Sequence, residues 1–356
     1  MRILPFGVAV LLAACGAPKP PPPTVTVAGP GDTLVVPVVG ITTAVPLGND
    51  RWMVLAPANN QVDVVDFGTR KVEPFPGMTL AEVPHPSVLI GVGDTAIVGD
   101  WGLGRFTAWT LDGQRVAAWP APDQLNRALP RARDAAGQWY FQLSPDPKAD
   151  GSGLLDSAVV VRADAQLTRF DTVARLAPPD LARVPGTNGI RYQRRTMSGD
   201  DAWGVFPDGT LWIVRVYQNQ IEWHRPGAKK IERSPRLPDR VLTVTPMDRQ
   251  LFLQHYPEDQ RDAVASLPNS PIKPPFEHVF PMPGNRMWLA KSDTALSPVR
   301  HFQVADSSGV LYYVGVPSRG SALSVDPANI LMGEEFPGGV RLLRFATPSE
   351  PRDTTH

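Results

Sequence analysis

The sequence predicts an all-β ring, a six-bladed β-propeller of four-stranded antiparallel blades closed by a strand from near the N-terminus. Three observations predict it. A tight turn followed by a short apolar run recurs six times, at a spacing of roughly 40 residues. Each recurrence leads across further turns into one or two more short runs, with no helical period. Finally, the β-branched run Thr33–Val39 belongs to no unit, while the last unit lacks its final strand.

The segment Gly93–Pro120 shows one unit in full. Gly93-Asp94 is a turn, Thr95–Gly99 an apolar run, Trp101–Gly104 a turn, and Arg105–Leu111 an alternating run. Asp112-Gly113 then reads as a type I′ hairpin turn, whose central residues both need φ > 0, before the last run Gln114–Trp119. The hallmark run recurs as Arg51–Leu55, Thr95–Val98, Gln138–Phe141, Thr210–Val214, Arg286–Leu289 and Ile330–Met332. Second runs follow at Gln61–Asp66, Arg105–Leu111, Ser157–Ala163, Gln218–His224, Val299–Ala305 and Val340–Phe345. Stretches such as Ser87–Gly91 and Ala322–Val325, ahead of the hallmark, serve as inner strands. One such meander cannot bury both its faces, whereas six around a ring can.

The recurrence of Trp52, Trp139, Trp212 and Trp288 at one place in the repeat assigns them to packing between blades. Two spacings are lengthened by insertions. Pro178–Gly189 is too polar and turn-rich for a core, and Pro257–Pro274 contains the one predicted helix, Glu258–Leu267. The sixth unit stops after Phe345, so Thr33–Val39 is expected to complete it and remove an open sheet edge. The ring then covers residues 31–346 and a polar tail 347–356.

Composition agrees. Lys plus Arg number 35 and Asp plus Glu 35, so the balanced charge argues against nucleic acid as a partner. With 40 Pro and 30 Gly, the chain far exceeds the usual share of about 12% for these two residues. The excess sits between apolar runs, where it marks turns.

Residues 1–14 read as a targeting segment, with Arg2 before the apolar stretch Ile3–Leu12, which is too short to span a bilayer. The order Leu12-Ala13-Ala14-Cys15-Gly16 resembles the bacterial lipoprotein signal, which implies that Cys15 becomes a lipidated first residue. Cys15 is the only cysteine and has no disulfide partner. Residues 15–30 are then a lipidated cysteine and a Pro-rich tether, with Pro20–Pro23 favouring an extended spacer. The resemblance implies a lipid-anchored protein of the cell envelope. In the families with that signal, Asp after the cysteine often marks inner-membrane retention; Gly16 therefore points to the outer membrane, with the ring facing the periplasm or the exterior.

The six units together resemble six-bladed propellers of the broad NHL/YWTD-like class, especially secreted and lipid-anchored bacterial members of undefined function. The resemblance covers Thr33–Phe345. Units three and six depart from the pattern, through the long Ser144–Asp156 loop and the missing last strand, which makes seven blades the competing count.

No sequence motif names a reaction. The histidines His85, His224, His255, His278 and His301 lack metal-ligand spacing, and there is no nucleophile elbow, P-loop or dinucleotide fingerprint. No catalytic residue, metal or cofactor is assigned. Propeller lactonases hold an axial metal with Glu, Asn and Asp from several blades; here Asn188, Asp200, Asp201, Asn285, Asp326, Glu334 and Glu335 lie at turns or strand ends. The best recognition surface is the cluster Arg191–Arg195 with Trp203, in particular Arg194, Arg195 and Trp203. Guanidinium groups there suit an anionic small molecule or an acidic protein loop. Internal Arg–Asp pairing with Asp200 and Asp201 is the competing use. Two function classes follow: a lipid-anchored binding or scaffold module, and a propeller hydrolase, lactonase or lyase with a metal in the axial channel.

Overall fold

The structure is a computed structural model and describes residues 21–29, 31–144, 146–150, 152–186, 189–254 and 256–351. Six antiparallel sheets form the blades, and each runs from an inner to an outer strand. Blade 1 comprises Thr43–Gly48, Arg51–Ala56, Gln61–Asp66 and Lys71–Pro74. Blade 2 comprises Pro86–Val92, Thr95–Asp100, Arg105–Thr110 and Arg115–Pro120. Blade 3 comprises Pro130–Arg133, Trp139–Leu143, Val159–Ala163 and Phe170–Arg175. Blade 4 comprises Ala202–Val205, Leu211–Arg215, Gln220–His224 and Glu232–Arg233. Blade 5 comprises Phe276–Met282, Arg286–Lys291, Arg300–Asp306 and Gly309–Val316. Blade 6 takes Ser321–Val325, Asn329–Phe336 and Gly339–Ala346 from the C-terminal end and Asp32–Val36 from the N-terminal end. Each inner strand contacts those of the two neighbouring blades, and blade 6 contacts blade 1, so the ring is closed. The count is six.

The closing strand pairs antiparallel with the last one, from Asp32 opposite Arg344 to Val36 opposite Val340. Its alternation puts Leu34 and Val36 into the core shared with Leu331, Leu342 and Trp52. The recurring tryptophans are buried between blades as expected. Trp139 packs with Ile97 and Phe106 of blade 2, Trp212 with Met287 and Leu289 of blade 5, and Trp288 with Ile330 and Met332 of blade 6. Gly204 lies where a Cβ would come within 2.5 Å of the Trp212 ring, so a side chain there would displace it.

Four local features differ from the sequence expectation. The Asp112-Gly113 turn is not type I′: only Gly113 has positive φ, at 91°, and the Gly113 amide donates to the Thr110 carbonyl. That is a type I turn followed by a left-handed glycine, the geometry of a slightly longer hairpin loop. Asn49 and Asp50, at 51° and 59°, adopt the paired positive φ values instead. Residues Thr24–Thr26, expected in the tether, form a fifth strand parallel to Gly309–Val316 of blade 5. Their β-branched side chains suit an open edge, and they cover it. The insertion 178–189 enters a hairpin, Leu181–Gly186 with Gly189–Arg194, outside the six blades. A second helix, α1 (Pro246–Gln254), precedes the expected one, α2 (Glu258–Ala265).

Antiparallel order sorts the connections onto two faces. First-to-second and third-to-fourth strand turns lie on one face; second-to-third turns and blade-to-blade links lie on the other. All the long segments belong to the second class: 144–158, the hairpin link 176–201, the helical link 234–275, and 292–299. One mouth of the ring therefore carries every insertion.

Candidate functional site

The insertion face owes its chemistry to a repeated irregularity. In blades 2, 3 and 5 the inner strand is bulged at its second residue, Ser87, Arg131 and Glu277, and in blade 6 at its third, Leu323. A bulge leaves that residue out of the ladder and re-aims its side chain. In blades 3 and 5 the re-aimed residue is charged and exposed towards this mouth.

Arg131 donates from Nη1 to the Gln142 amide oxygen at 2.6 Å, and no carboxylate lies within ion-pair distance of it among the described residues. Burial pulls its guanidinium below its ordinary range, and the charge of Asp200 opposes that. It lines a cavity of about 150 Å³ with Gln142, Ser144, Asp156, Arg194 and Asp200. Room for about five waters suffices for a carboxylate or phosphate group.

Of the residues expected to bind, Arg194 reaches this cavity and is paired with Asp200. Arg195 is turned away; its Nε lies 3.3 Å from Asp180 Oδ1 and its Nη1 donates to the Asn269 carbonyl at 3.1 Å. Trp203, in the inner strand of blade 4, donates from Nε1 to Gln142 Oε1 at 2.8 Å, so it shares an acceptor with Arg131. The structure thus brings Arg194 to the cavity, ties Trp203 to the lining residue Gln142, and engages Arg195 in internal pairing. Asp201 is structural: it accepts from the Ala177 and Val216 amides and from Arg215 Nη1 at 2.7 Å.

A larger cavity of about 570 Å³ lies beside the first, between α1 and the inner strands of blades 4 and 5. Asp200 and Asp201 line both. Its walls carry Phe252, Phe276 and Leu296 together with Lys273, Glu277 and Arg300. Most of its charges are already matched. Lys273 Nζ donates to Asp248 Oδ1 and to the Asp293 carbonyl, both at 2.5 Å. His301 Nδ1 lies 2.8 Å from Asp293 Oδ1, and that hydrogen bond raises the imidazole above its ordinary range. Two charges are unmatched. Glu277 has no hydrogen-bond or ion-pair partner among the described residues, and desolvation pushes its carboxyl up against the pull of Arg300 and Lys273. Among the described residues Arg300 donates only to the carbonyls of Gly320 and Arg319, each at 3.0 Å. Sequence reading did not single out Arg131, Glu277 or Arg300, because each stands alone in the chain and its exposure depends on a bulge or a loop.

The remaining expected groups are dispersed. Asn285 and Asp326 lie in turns of the opposite face, where Asp326 Oδ1 accepts from the Ala328 and Asn329 amides. Glu334 accepts from Ser318 Oγ and the Arg319 amide. His85 lies against Trp101 in a tilted ring contact with centroids 5.3 Å apart, and His278 lies beside Phe280 on the blade 5 inner strand. Cys15, Asn188 and His255 lie outside the described residues. Among the described residues no three His, Cys, Asp or Glu side chains form a metal-binding group, and no helix is long and apolar enough to cross a membrane.

No protein-family model matches the sequence, and no curated protein does either. Solved structures align with the chain at low similarity. Virginiamycin B lyase from Staphylococcus aureus aligns over 89% of this chain and 99% of its own, at 9% identity and a TM-score of 0.45. The calcium-binding protein regucalcin from Agrobacterium tumefaciens aligns over 92% of this chain and 98% of its own, at 9% identity and a TM-score of 0.45. At such identities the likeness is one of fold, and a fold of this kind hosts many functions.

Proposed function

We propose that the chain is a binding module of the cell envelope, held through a lipid on Cys15, that captures a small anion or an acidic protein loop at its insertion face. One observation carries this reading. Every long insertion surrounds the same mouth, and among the described residues the guanidinium of Arg131 in its wall has only a neutral amide as hydrogen-bond partner. An exposed guanidinium tied to a single neutral acceptor keeps N–H donors for an anionic ligand, which it can grip through charge-assisted hydrogen bonds. Arg194 lines the same cavity, and the Trp203 indole holds Gln142 in its wall. The tether would keep this face accessible beyond the membrane surface.

The test uses succinate and inorganic phosphate as probes. Calorimetric titration of the full chain is expected to show binding of at least one of them, weakened at least about tenfold, or 1.4 kcal/mol, in Arg131→Ala. Equal affinity in the variant, or no binding of either probe to the parent protein, overturns the proposal.

A second reading, hydrolysis or elimination, is favoured by Glu277, whose carboxyl has no partner among the described residues and is pushed up in a cavity as acid–base chemistry requires. It predicts turnover of a simple lactone that Glu277→Gln abolishes. Undiminished turnover in that variant would remove Glu277 from the chemistry.

A further inference from the structure

We propose that the cavity between α1 and blades 4 and 5 is a second site, which takes a zwitterionic ligand with an apolar side chain, a free amino acid or short peptide. Its ammonium would sit on Glu277, its carboxylate on Arg300, and its side chain against Phe252 and Leu296. This goes beyond the anion capture proposed at Arg131.

The argument starts from charge matching. Around this cavity Lys273 is satisfied by Asp248, Asp293 by His301, Asp200 by Arg194 and Asp201 by Arg215. That leaves one carboxylate and one guanidinium without an ion-pair partner among the described residues, Glu277 and Arg300. They do not satisfy each other: no ion pair joins them among the described residues, although each feels the other's charge. A purely anionic ligand would meet Glu277, and a purely cationic one Arg300. A ligand carrying both charges leaves neither uncompensated, whereas a singly charged one would meet a like charge. Backbone carbonyls fix two edges of the Arg300 guanidinium and leave Nη1 without a partner among the described residues, so the group is oriented before a ligand arrives.

Size and wall agree with that class. About 570 Å³ is within the range of small-molecule pockets and exceeds what one amino acid fills. Leu296 is 54% exposed and holds a left-handed φ of 62°, and Met197 on the other wall holds 59°. For side chains that avoid this region, such conformations are held by their surroundings and gather at ligand clamps. Phe252 projects from α1, whose start is fixed by a reciprocal box: Asp248 accepts from the Thr245 amide at 2.8 Å, and Thr245 Oγ1 accepts from the Asp248 amide at 3.2 Å.

The charges facing Glu277 set the pH dependence. They are Arg300 and Lys273, which favour its ionised form, and Asp293 and Asp248, which oppose it, with His278 adjacent in the strand. An ammonium needs the ionised carboxylate. Affinity therefore rises as pH increases through the raised titration of Glu277 and falls below it, and binding at mildly acid pH releases a proton.

The experiment is calorimetric titration of the full chain with L-leucine and L-leucyl-L-leucine, with 4-methylpentanoate and 3-methylbutylamine as analogues lacking one charge. At least one zwitterion is expected to bind, at least about tenfold more tightly than either analogue. Glu277→Gln, nearly isosteric, and Arg300→Lys should each lower that affinity at least about tenfold, and Glu277→Gln should also abolish the proton release seen between buffers. Unchanged circular dichroism and melting of Glu277→Gln exclude a folding defect; if that variant unfolds, the two analogues decide the question on the parent protein. Failure of both zwitterions to bind, equal binding of the analogue without an amine, or parent-like affinity in Glu277→Gln overturns the proposal. Since Arg131 and the succinate and phosphate probes are not involved, such a failure leaves the anion reading to its own test.

Discussion

The double substitution Leu34→Ala/Val36→Ala attacks the closure of the ring without shortening the chain. Both side chains lie on the inner face of the closing strand, with Val36 fully buried and Leu34 at 8% exposure. They pack on Val340, Leu342 and Leu331 of blade 6 and on Trp52 of blade 1, so one strand ties first blade to last. Truncating a buried Leu to Ala costs roughly 2–5 kcal/mol, and the smaller Val to Ala change costs about 1.5–3 kcal/mol from its lost methyl groups and cavity. The two sites are neighbours on one face and share partners, so the sum is reduced by coupling to about 4–6 kcal/mol. That approaches the whole stability of an ordinary domain, about 5–15 kcal/mol. Urea unfolding followed by tryptophan fluorescence measures it, with midpoint and slope compared separately because an open ring can unfold in stages. A paired control removes residues 1–22, which leaves the described strand pairings intact, and should melt like the full chain. A double variant within about 1 kcal/mol of the parent, or a control that melts like the variant, refutes the closure argument.

Three further outcomes follow from the same structure. Burial opposes the charge of Glu222, but hydrogen bonds from His224, Arg215 and Arg233 outweigh it and hold the carboxyl at about 2, against an ordinary 4.5. A depressed folded value stabilises above the unfolded one and is lost on acidification, so about 3 kcal/mol should vanish between pH 5 and pH 2. Glu222→Gln should show a flatter acid profile in urea titrations, and parallel profiles would contradict the assignment. Cys15→Ser should move the protein from the membrane to the soluble fraction, and unchanged fractionation would dispose of the lipid anchor. Arg195→Ala should lower stability by about 1 kcal/mol through loss of its Asp180 and Asn269 contacts, whereas Arg194→Ala, on an exposed pair, should weaken anion binding with little effect on melting; the reverse pattern would exchange their roles.

Much of the fold could be read from the residues because a propeller repeats its signals. Trp52, Trp139, Trp212 and Trp288 mark one position of the unit, and the orphan run at Thr33 has one vacant place in the ring, beside Gly339–Ala346. The helix α1 was missed, although Thr245 as cap, Pro246 in the first turn and Asp248 returning to the cap mark its start, because the short apolar period behind them is weak. The site was far less legible. Arg131 and Glu277 each look like one charge in a short strand, and only the pairing register reveals that both are bulged at the same blade position. Arg300 gains its role from two carbonyls some twenty residues away. The cluster Arg191–Arg195 is conspicuous in the chain, yet its hairpin sends Arg194 to the cavity and Arg195 into an internal pair. Local composition finds packing well, since packing repeats. It finds a site poorly when each contributing residue comes from a different blade.

The central claim is that ligands meet this molecule at the insertion face, and amide chemical-shift mapping tests it most directly. Isotope-labelled protein would be titrated with succinate up to about 10 mM, enough to detect Kd values in the millimolar range. The account predicts that perturbed amides concentrate at Arg131, Gln142 and the link from Ala177 to Asp201. Shifts centred on the opposite turns, at Asp50, Gly209 or Gly284, or no shift at all, would contradict it.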